Sequence, residues 1–350
     1  MNRINLPARP RILVIALRRL GDVLLTTPLI RSLRRAWPDA SIDALVFADT
    51  AGILQGNPDL NRVAMMPPRP STAQSLKLAA RLWRRYDLAI STQSGDRPSF
   101  FATVAGRARV GPFEQTFSGR LKGHFLTRGI PFVHGVHRVE ENLRLADLIG
   151  IGRVAELVAP REPPIDQALP RDYAVIHAAP KFRYKQWTKS GWRAVAAALA
   201  ARGIEVIATG GAADAERRYL DEVWSGTSVR RLDGHLDWPQ LAGVLARARI
   251  YVGPDTSVTH LAAASGCRTV ALYGPTDPRL WGPWPVGGLQ SMWSAAGSVQ
   301  NRGNVWLVQN VLPCTPCQLE GCERRLDSHS CCLDELSPRQ VISVILNALG

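Results

Sequence analysis

One short stretch brings an acid, two hydroxyls and a histidine together between two apolar runs. It reads GPDTSVTHLAAASGCRTVALYGPTDP and covers residues 253–278. Asp255, Thr256 and Ser257 stand at the start of a helix, since the following residues continue at helical spacing. They could cap that helix, or their free N–H groups could bind an anion, which we favour. His260 taken alone is more typical of a hydrogen bond inside helix–sheet packing.

A second carboxylate occupies a similar place near the start of the chain. In LRRLGDVLLTTP, residues 17–28, Gly21 allows a sharp turn after an apolar run and Asp22 opens the next helix. The stretch is not a G-x-G-x-x-G fingerprint, so it gives poor support for a dinucleotide site. Asp22 either caps the helix or projects into a ligand site, where it could take a proton.

A basic loop follows a third apolar run. The chain has 38 Arg and only five Lys, and HAAPKFRYKQW (177–187) holds two of those lysines. Lys181, Arg183 and Lys185 in such a loop could neutralise a diphosphate. The alternative is a basic loop that is merely solvated.

Five of the six cysteines lie in CTPCQLEGCERRLDSHSCC (314–332), together with His329. A C-x-x-C followed by more cysteines suggests zinc, but this spacing is not a standard pair of C-x-x-C motifs. A cytoplasmic setting argues against disulfides. We favour free thiols in a compact loop over structural zinc. The ligands of the less favoured zinc site would be Cys314, Cys317, Cys322 and Cys331.

Alternating strands and helices must position these residues. The run 11–17 reads as a buried strand and 22–36 as one amphipathic helix after it. The alternation continues to residue 150 and starts again at 173. This pattern predicts parallel sheets covered on both faces.

Four prolines in 158–172 mark a break between two domains. We therefore expect two α/β domains in tandem, with ligands bound at the carboxyl ends of their sheets. The predicted boundaries are an N-terminal domain 1–160, a linker 161–172, a C-terminal domain 173–335, and a C-terminal helix 336–350 that is a candidate to pack back on the N-terminal domain.

Charge is uneven along the chain, whose net charge is +14. Residues 1–160 carry 23 Lys and Arg against 12 Asp and Glu, whereas the remainder carries 20 against 17. This bias indicates either a solvated basic surface or an anionic partner such as nucleic acid, a phospholipid surface or a phosphorylated substrate. The short apolar run ILVIAL is followed by two arginines, so we read it as a strand rather than a signal peptide and expect a cytoplasmic protein.

Taken in order, these segments resemble glycosyltransferase family 9, the ADP-heptose:lipopolysaccharide heptosyltransferases. The matching segments are LGDVLLTTPLIRSLRRAWP, VHRVEENLRLADLIGI, KQW, DTSVTHLAAASGCRTVALYGPTDP and PCTPCQLEGC…CC. The resemblance implies a GT-B fold, in which two Rossmann-like domains with parallel sheets face each other across an interdomain cleft. It implies an acceptor site in the first domain and a nucleotide-sugar site in the second.

The resemblance also implies an activity, namely inverting, metal-independent transfer of a heptose from ADP-L-glycero-D-manno-heptose to the inner core of lipopolysaccharide. Asp22 would be the general base and Lys185 the cation that stabilises the leaving diphosphate. The donor-binding residues would be Lys181, Asp255, Thr256, Ser257, His260 and Thr276. From charge and approximate position, the acceptor-binding residues would be Arg18, Arg19, Arg97 and Arg120.

The implied partners are the nucleotide sugar and the phosphorylated lipopolysaccharide core and lipid A. We expect peripheral contact with the cytoplasmic face of the inner membrane, no nucleic acid, no cofactor and no required metal. The sequence departs from the family pattern at Arg18 and Arg19, where small hydroxyl residues are usual, and at Ser257, which replaces a glycine.

Three other functions stay open. One is another GT-B nucleotide-sugar enzyme, with a different donor or with epimerase activity. A second is a basic nucleic-acid-binding protein with a zinc module at 314–332. A third is a catalytically inactive protein that keeps the fold.

Overall fold

The computed structural model describes residues 3–161 and 169–350, and the chain divides into two compact units, Met1–Pro160 and Arg161–Gly350. Residues 162–168 of the predicted linker lie outside the described residues. None of the helices in the described ranges has both the length and the apolar character that a membrane span requires.

The first unit alternates strands and helices. Its strands are β1 (Arg11–Ala16), β2 (Ser41–Phe47), β3 (Arg62–Met66), β4 (Tyr86–Ser91), β5 (Gly106–Phe113) and β6 (Arg128–Pro131). Its α-helices are α1 (Leu20–Leu24), α2 (Thr27–Ala36), α3 (Thr72–Leu82), α4 (Asp96–Ala105), α5 (Phe117–Gly123) and α6 (Arg138–Ile149), and a 3₁₀ helix covers Ala48–Leu54.

In the described residues, the strands of the first unit form one parallel sheet in the order β3-β2-β1-β4-β5-β6. β1 is buried on both faces. Ile12 and Val14 pack with α2 and α6, whereas Leu13 and Ile15 pack with α3 and α4. Burial on both faces explains why this strand reads as a continuous apolar run. The strand order reverses between β1 and β4, which is where doubly wound sheets bind ligands.

The predicted single helix 22–36 is wrong, because two helices, α1 and α2, cover this range. Pro28 lies in the first turn of α2, where its missing N–H costs nothing. In a continuous helix Pro28 would lose a hydrogen bond and clash with the carbonyl of Leu24. Thr27 Oγ1 instead donates to that carbonyl at 2.8 Å. Proline therefore sets the break.

The second unit repeats the alternation. Its strands are β7 (Tyr173–His177), β8 (Glu205–Thr209), β9 (Arg230–Arg231), β10 (Ile250–Pro254), β11 (Thr269–Tyr273), β12 (Val299–Arg302) and β13 (Val305–Gln309). Its α-helices are α7 (Lys189–Ala200), α8 (Asp214–Trp224), α9 (Trp238–Arg247), α10 (Ser257–Ala264), α11 (Pro278–Trp281), α12 (Cys331–Asp334) and α13 (Pro338–Leu349), and a 3₁₀ turn covers Arg183–Lys185.

Within the described ranges the sheet of the second unit has the order β12-β13-β11-β10-β7-β8-β9, parallel except for β12. Its strand order reverses between β7 and β10, which are neighbours. The loops that follow these two strands therefore meet at the carboxyl edge of the sheet.

The C-terminal helix α13 belongs to the second unit. Its buried residues Val341, Val344 and Ile345 join the core formed by β7, α7 and α8. The apolar face of α13 is thus covered by the core of the second unit, and its packing on the N-terminal domain stays a prediction. The predicted domain end at 335 accordingly leaves out a helix on which the second core depends.

Candidate functional site

Asp255 lies between β10 and α10, at the carboxyl edge of the second sheet. Thr256 is the N-cap of α10, and its hydroxyl accepts from Thr259 N at 3.4 Å. The capping interpretation therefore holds for Thr256, while the Asp255 carboxylate makes other contacts. It forms an ion pair with Lys185 Nζ and accepts from the Tyr273 hydroxyl at 3.3 Å.

Lys185 reaches Asp255 because the loop after β7 and the loop after β10 share one edge of the sheet. The Lys185 side chain is 20% exposed, whereas that of Asp255 is 8% exposed. Burial alone would raise the pKa of Asp255, but the charge of Lys185 outweighs it, with help from His260 and a hydrogen bond from Thr276. The pKa of Asp255 therefore lies below its usual range, and this carboxylate is ionised at neutral pH.

His260 lies one turn into α10 and is buried. Burial lowers its pKa to about 4 against the opposing charge of Asp255, so the ring is neutral at pH 7. Its Nδ1 has no hydrogen-bond partner among the described residues. The hydrogen bond that we expected for His260 inside the helix–sheet packing is therefore not formed by Nδ1 within the described residues. A buried ring nitrogen without a partner next to a buried ion pair is a feature of a ligand site.

Three further predicted donor residues differ in position. Thr276, in the turn after β11, bonds the Asp255 carboxylate. Ser257 is the first residue of α10 and is half-buried. Lys181 is exposed, with its Nζ 5.8 Å from the centre of the Phe182 ring. The structure therefore groups Thr276 with Asp255 and Lys185 and leaves Lys181 at the rim of the loop.

Asp22 occupies the first turn of α1, directly after β1. Arg18 Nη1 lies 3.8 Å and Arg138 Nε 3.6 Å from its Oδ1, both too far for hydrogen bonds. That oxygen is buried, and no hydrogen-bond partner for it is found in the described part of the chain. Burial raises the pKa of Asp22, and the charges of Arg18, Arg138 and Arg19 offset this only in part.

Sequence reasoning missed Arg138 and Tyr273. Arg138 begins α6, which is tied to α1 because Asn142 Nδ2 donates to the Leu25 carbonyl at 3.0 Å. The segment VHRVEEN carried the resemblance to a family, but it gave no hint that its arginine lies beside Asp22. Tyr273 ends β11 and reads in the sequence as an ordinary strand residue.

The four guessed acceptor arginines separate into two groups. Arg18 and Arg19 lie near Asp22. Arg97 is exposed in the first turn of α4, and Arg120 lies on α5. Arg120 lines a cavity of about 520 Å³ at the ends of β5 and β6. The other lining residues are Phe113, Gln115, Gly123, His124, Gly129 and Pro131.

Among the predicted metal ligands, Cys322 and Cys331 lie together. Their sulfurs and a ring nitrogen of His329 are all within 4.8 Å of one another. Cys314 and Cys317 lie outside this compact group. His329 was noted in the sequence but not included among the ligands.

The profile of glycosyltransferase family 9 (heptosyltransferase) matches residues 75–297, well over half of the chain. The chain belongs to this family. Lipopolysaccharide heptosyltransferase 3 of Escherichia coli is 30% identical over 287 residues, which cover 75% of this chain and 83% of the relative. The predicted family and the enzyme class, a glycosyltransferase, are therefore confirmed.

Two solved structures extend the comparison. E. coli ADP-heptose lps heptosyltransferase II superposes with a TM-score of 0.75 at 19% identity, covering 97% of this chain and 98% of that one. E. coli heptosyltransferase WaaC with ADP-2-deoxy-2-fluoro heptose gives a TM-score of 0.64 at 25% identity, with coverages of 77% and 90%. Together with the two parallel sheets, these neighbours confirm the predicted α/β fold of the GT-B type.

Proposed function

We propose that this protein transfers a heptose, with inversion, from ADP-L-glycero-D-manno-heptose to the inner core of lipopolysaccharide. The observation that carries the proposal is the buried group of Asp255, Lys185 and His260 at the reversal of strand order in the second sheet. The names of the relatives support the donor and acceptor, because they are lipopolysaccharide heptosyltransferases and one binds an ADP-heptose analogue.

The second unit supplies the donor chemistry in this proposal. When the sugar leaves ADP, the bond between the anomeric carbon and the diphosphate oxygen breaks and negative charge develops on that oxygen. Lys185 has three N–H donors and uses one on Asp255, so the others can contact the phosphates. The start of α10 adds free N–H groups and the positive end of the helix dipole. We propose that these groups carry the leaving charge without a metal.

The first unit supplies the acceptor chemistry. An acceptor hydroxyl oxygen forms the new bond to the anomeric carbon, and its proton must go to a base. Asp22 fits this role because its pKa is raised by burial and its Oδ1 makes no hydrogen bond within the described residues. Arg18, Arg19 and Arg138 surround it with positive charge that suits a phosphorylated acceptor.

The donor assignment is tested by calorimetric titration with ADP-heptose, UDP-sugars and GDP-sugars, without added magnesium. We expect selective binding of the ADP sugar at micromolar concentrations. The test variant is Lys185→Met, in which binding of the ADP sugar should weaken because the diphosphate loses its cation. A preference for UDP or GDP would keep the glycosyltransferase and overturn the heptose donor. Conversion of the donor without an acceptor would indicate an epimerase.

The role of Asp22 is tested with Asp22→Asn. Transfer should fall by roughly 10²–10⁴-fold while the donor affinity stays unchanged, since the amide cannot take the proton. Asp39→Asn, an exposed aspartate in the turn before β2, is the matched control and should keep wild-type activity. Wild-type turnover by Asp22→Asn would remove Asp22 from the mechanism.

We also propose peripheral contact with an anionic phospholipid surface through α5 and the residues after it. Phe117, Leu121 and Phe125 are 88%, 56% and 56% exposed and are spaced four residues apart. Arg120 stands between them, and Lys122, which pairs with Asp96, is the next basic residue of α5, so apolar and basic groups lie on the same short helix, as in peptides that lie in the membrane interface.

Sedimentation with phospholipid vesicles tests this contact. We expect binding to vesicles that contain anionic lipid and much weaker binding to neutral ones. The double variant Phe117→Ser/Leu121→Ser should lose most of the binding. Leu76→Ser, an equally exposed leucine on α3, should keep it. Equal binding by both variants would show that α5 is not the contact.

A further inference from the structure

The cysteine cluster lies in a segment that has no regular structure of its own. Residues 310–330 join β13 to α12 without a helix or strand. Irregular segments of this length inside a compact domain are uncommon and are usually functional. Leu319 and Leu326 in it are 40% and 49% exposed, so few apolar contacts hold the segment together. A segment of this kind needs another source of order.

Two side chains of this segment, Cys322 and His329, lie close to Cys331 at the start of α12, as metal ligands do. Cys322 Sγ lies 3.5 Å from Cys331 Sγ, which lies 3.8 Å from His329 Nε2. Ligands on a tetrahedral zinc, with bonds of about 2.3 Å to sulfur and about 2.0 Å to nitrogen, lie roughly 3.5–3.8 Å from each other. Two of the three separations therefore match those of ligands on one ion, and the third, between Cys322 and His329, lies within 4.8 Å.

A fourth ligand is available from the C-x-x-C pair. Cys314 and Cys317 lie in the same irregular segment as Cys322 and His329, outside the compact group. The sulfurs of Cys322 and Cys331, 3.5 Å apart, would repel each other as thiolates, and a bound cation removes that repulsion.

We propose that Cys322, His329 and Cys331, with a fourth ligand from the Cys314–Cys317 pair, bind one transition-metal ion in a tetrahedral site. A sulfur-rich tetrahedral set suits zinc or iron, and zinc is the ion we expect. Cys332 is buried against the core and is not a ligand in this proposal. The sequence favoured free thiols because its spacing is irregular, whereas the fold brings the ligands together.

The segment contacts both pieces of backbone that carry the candidate donor site. Ser330 Oγ donates to the Tyr184 carbonyl at 2.7 Å, next to Lys185, and Gln318 N donates to the Pro275 carbonyl at 2.7 Å, next to Thr276. A Cβ on Gly274 would come within 3.0 Å of Cys332 Sγ, so the packing here is close. Resting on the proposed function, the metal would fix the positions of Lys185 and Thr276 without touching the substrate.

The first test is the metal content of the purified full-length protein, measured by elemental analysis. We expect about one equivalent of zinc. The variants Cys322→Ser and Cys331→Ser should lose it, whereas Cys267→Ser, a buried cysteine in the turn before β11, should retain it. One equivalent of iron lost in the same variants would support the site and change the ion.

A second measurement tests the metal site on the wild-type protein, in case the cysteine variants fail to fold. The reduced wild-type protein is stripped of metal and titrated with Co²⁺, whose thiolate complexes absorb visibly. Saturation at one equivalent with a tetrahedral spectrum supports the site. No binding, or a disulfide between Cys322 and Cys331 in protein purified under reducing conditions, would overturn it.

The consequence for the donor site has its own readout. Stripping the metal should weaken ADP binding by about tenfold, and re-addition should restore it. The measured metal stoichiometry does not depend on the sugar or the acceptor. The metal site would therefore remain supported even if the protein did not catalyse the proposed heptose transfer. Metal binding without any effect on ADP affinity would leave the site but overturn its positioning role.

Discussion

Asp22 and Asp255 occupy equivalent places in the two units and behave in opposite ways. Each follows a central strand of a doubly wound sheet, close to the reversal of strand order, and each has basic side chains nearby. Nevertheless burial dominates at Asp22 and raises its pKa, whereas the pKa of Asp255 is lowered. Nearby positive charge therefore does not by itself decide the state of a buried carboxylate.

The distance to the nearest positive charge makes the difference. Lys185 pairs directly with Asp255 and lowers its pKa by its charge, with smaller contributions from the charge of His260 and from hydrogen bonds of Lys185 and Thr276. Arg18 Nη1 and Arg138 Nε lie 3.8 Å and 3.6 Å from Asp22 Oδ1, beyond hydrogen-bond distance. In the proposed function, Asp255 is a fixed anion that orients Lys185, and Asp22 is the base that takes a proton. This division matches the needs of a displacement in which one side receives a leaving anion and the other removes a proton.

Lys185→Met should give the largest loss of stability, because it leaves Asp255 buried and unpaired. We expect turnover to fall roughly 10²–10³-fold and the free energy of unfolding to fall by about 3–5 kcal/mol. Thermal unfolding and steady-state kinetics measure the two losses separately.

The double variant Lys185→Met/Asp255→Asn separates the two effects. The removal of both charges should restore much of the stability but none of the turnover. If the double variant regained turnover, Lys185 would matter only for folding, and the contrast between the two sites would lose its catalytic meaning.

Much of this arrangement could be predicted from the sequence, because it depends on local patterns. The run 11–17 is apolar at successive positions, as in a strand that is buried on both faces. Asp22, Asp255 and Lys185 could be predicted as site residues because each follows a run of this kind. The strand β5 was missed, since its sequence GRARVGPF contains glycines, a proline and arginines that give no strand pattern.

The parts that could not be predicted depend on contacts between distant segments. Arg138 reaches Asp22 only because α6 packs beside α1, and no local pattern records that neighbour. The directions of the two pKa shifts also depend on how deeply each carboxylate is buried and on which cations the fold brings beside it. The group of Cys322, His329 and Cys331 likewise became visible only through the fold.

His260 extends the comparison to stability in acid. Its pKa is about 4 in the folded protein, below the ordinary value of about 6.5, so the unfolded chain binds the proton first. Stability is therefore lost as pH falls from about 6.5 toward 4, by roughly 3 kcal/mol at most. In His260→Gln that loss should be smaller, as measured by denaturant unfolding at pH 7 and pH 4.5.

His235→Gln is the matched control for this experiment. His235 is exposed in the same unit, so its replacement should leave the acid dependence unchanged. An identical acid loss in wild type and in His260→Gln would mean that other groups, such as the buried His177 with its pKa of about 4, carry the effect.

The smallest predicted effect concerns the pH dependence of transfer. Since Asp22 must be deprotonated to act as a base, activity should fall at acid pH with a midpoint above the ordinary aspartate value of about 4. Arg138 lowers the pKa of Asp22, so Arg138→Gln should raise that midpoint. Arg62→Gln, an exposed arginine at the start of β3, should leave the midpoint where it is. If the midpoint stays the same in Arg138→Gln but shifts in Lys185→Met, the titrating group is Asp255 rather than Asp22. The two carboxylates would then have the reverse of the roles proposed for them.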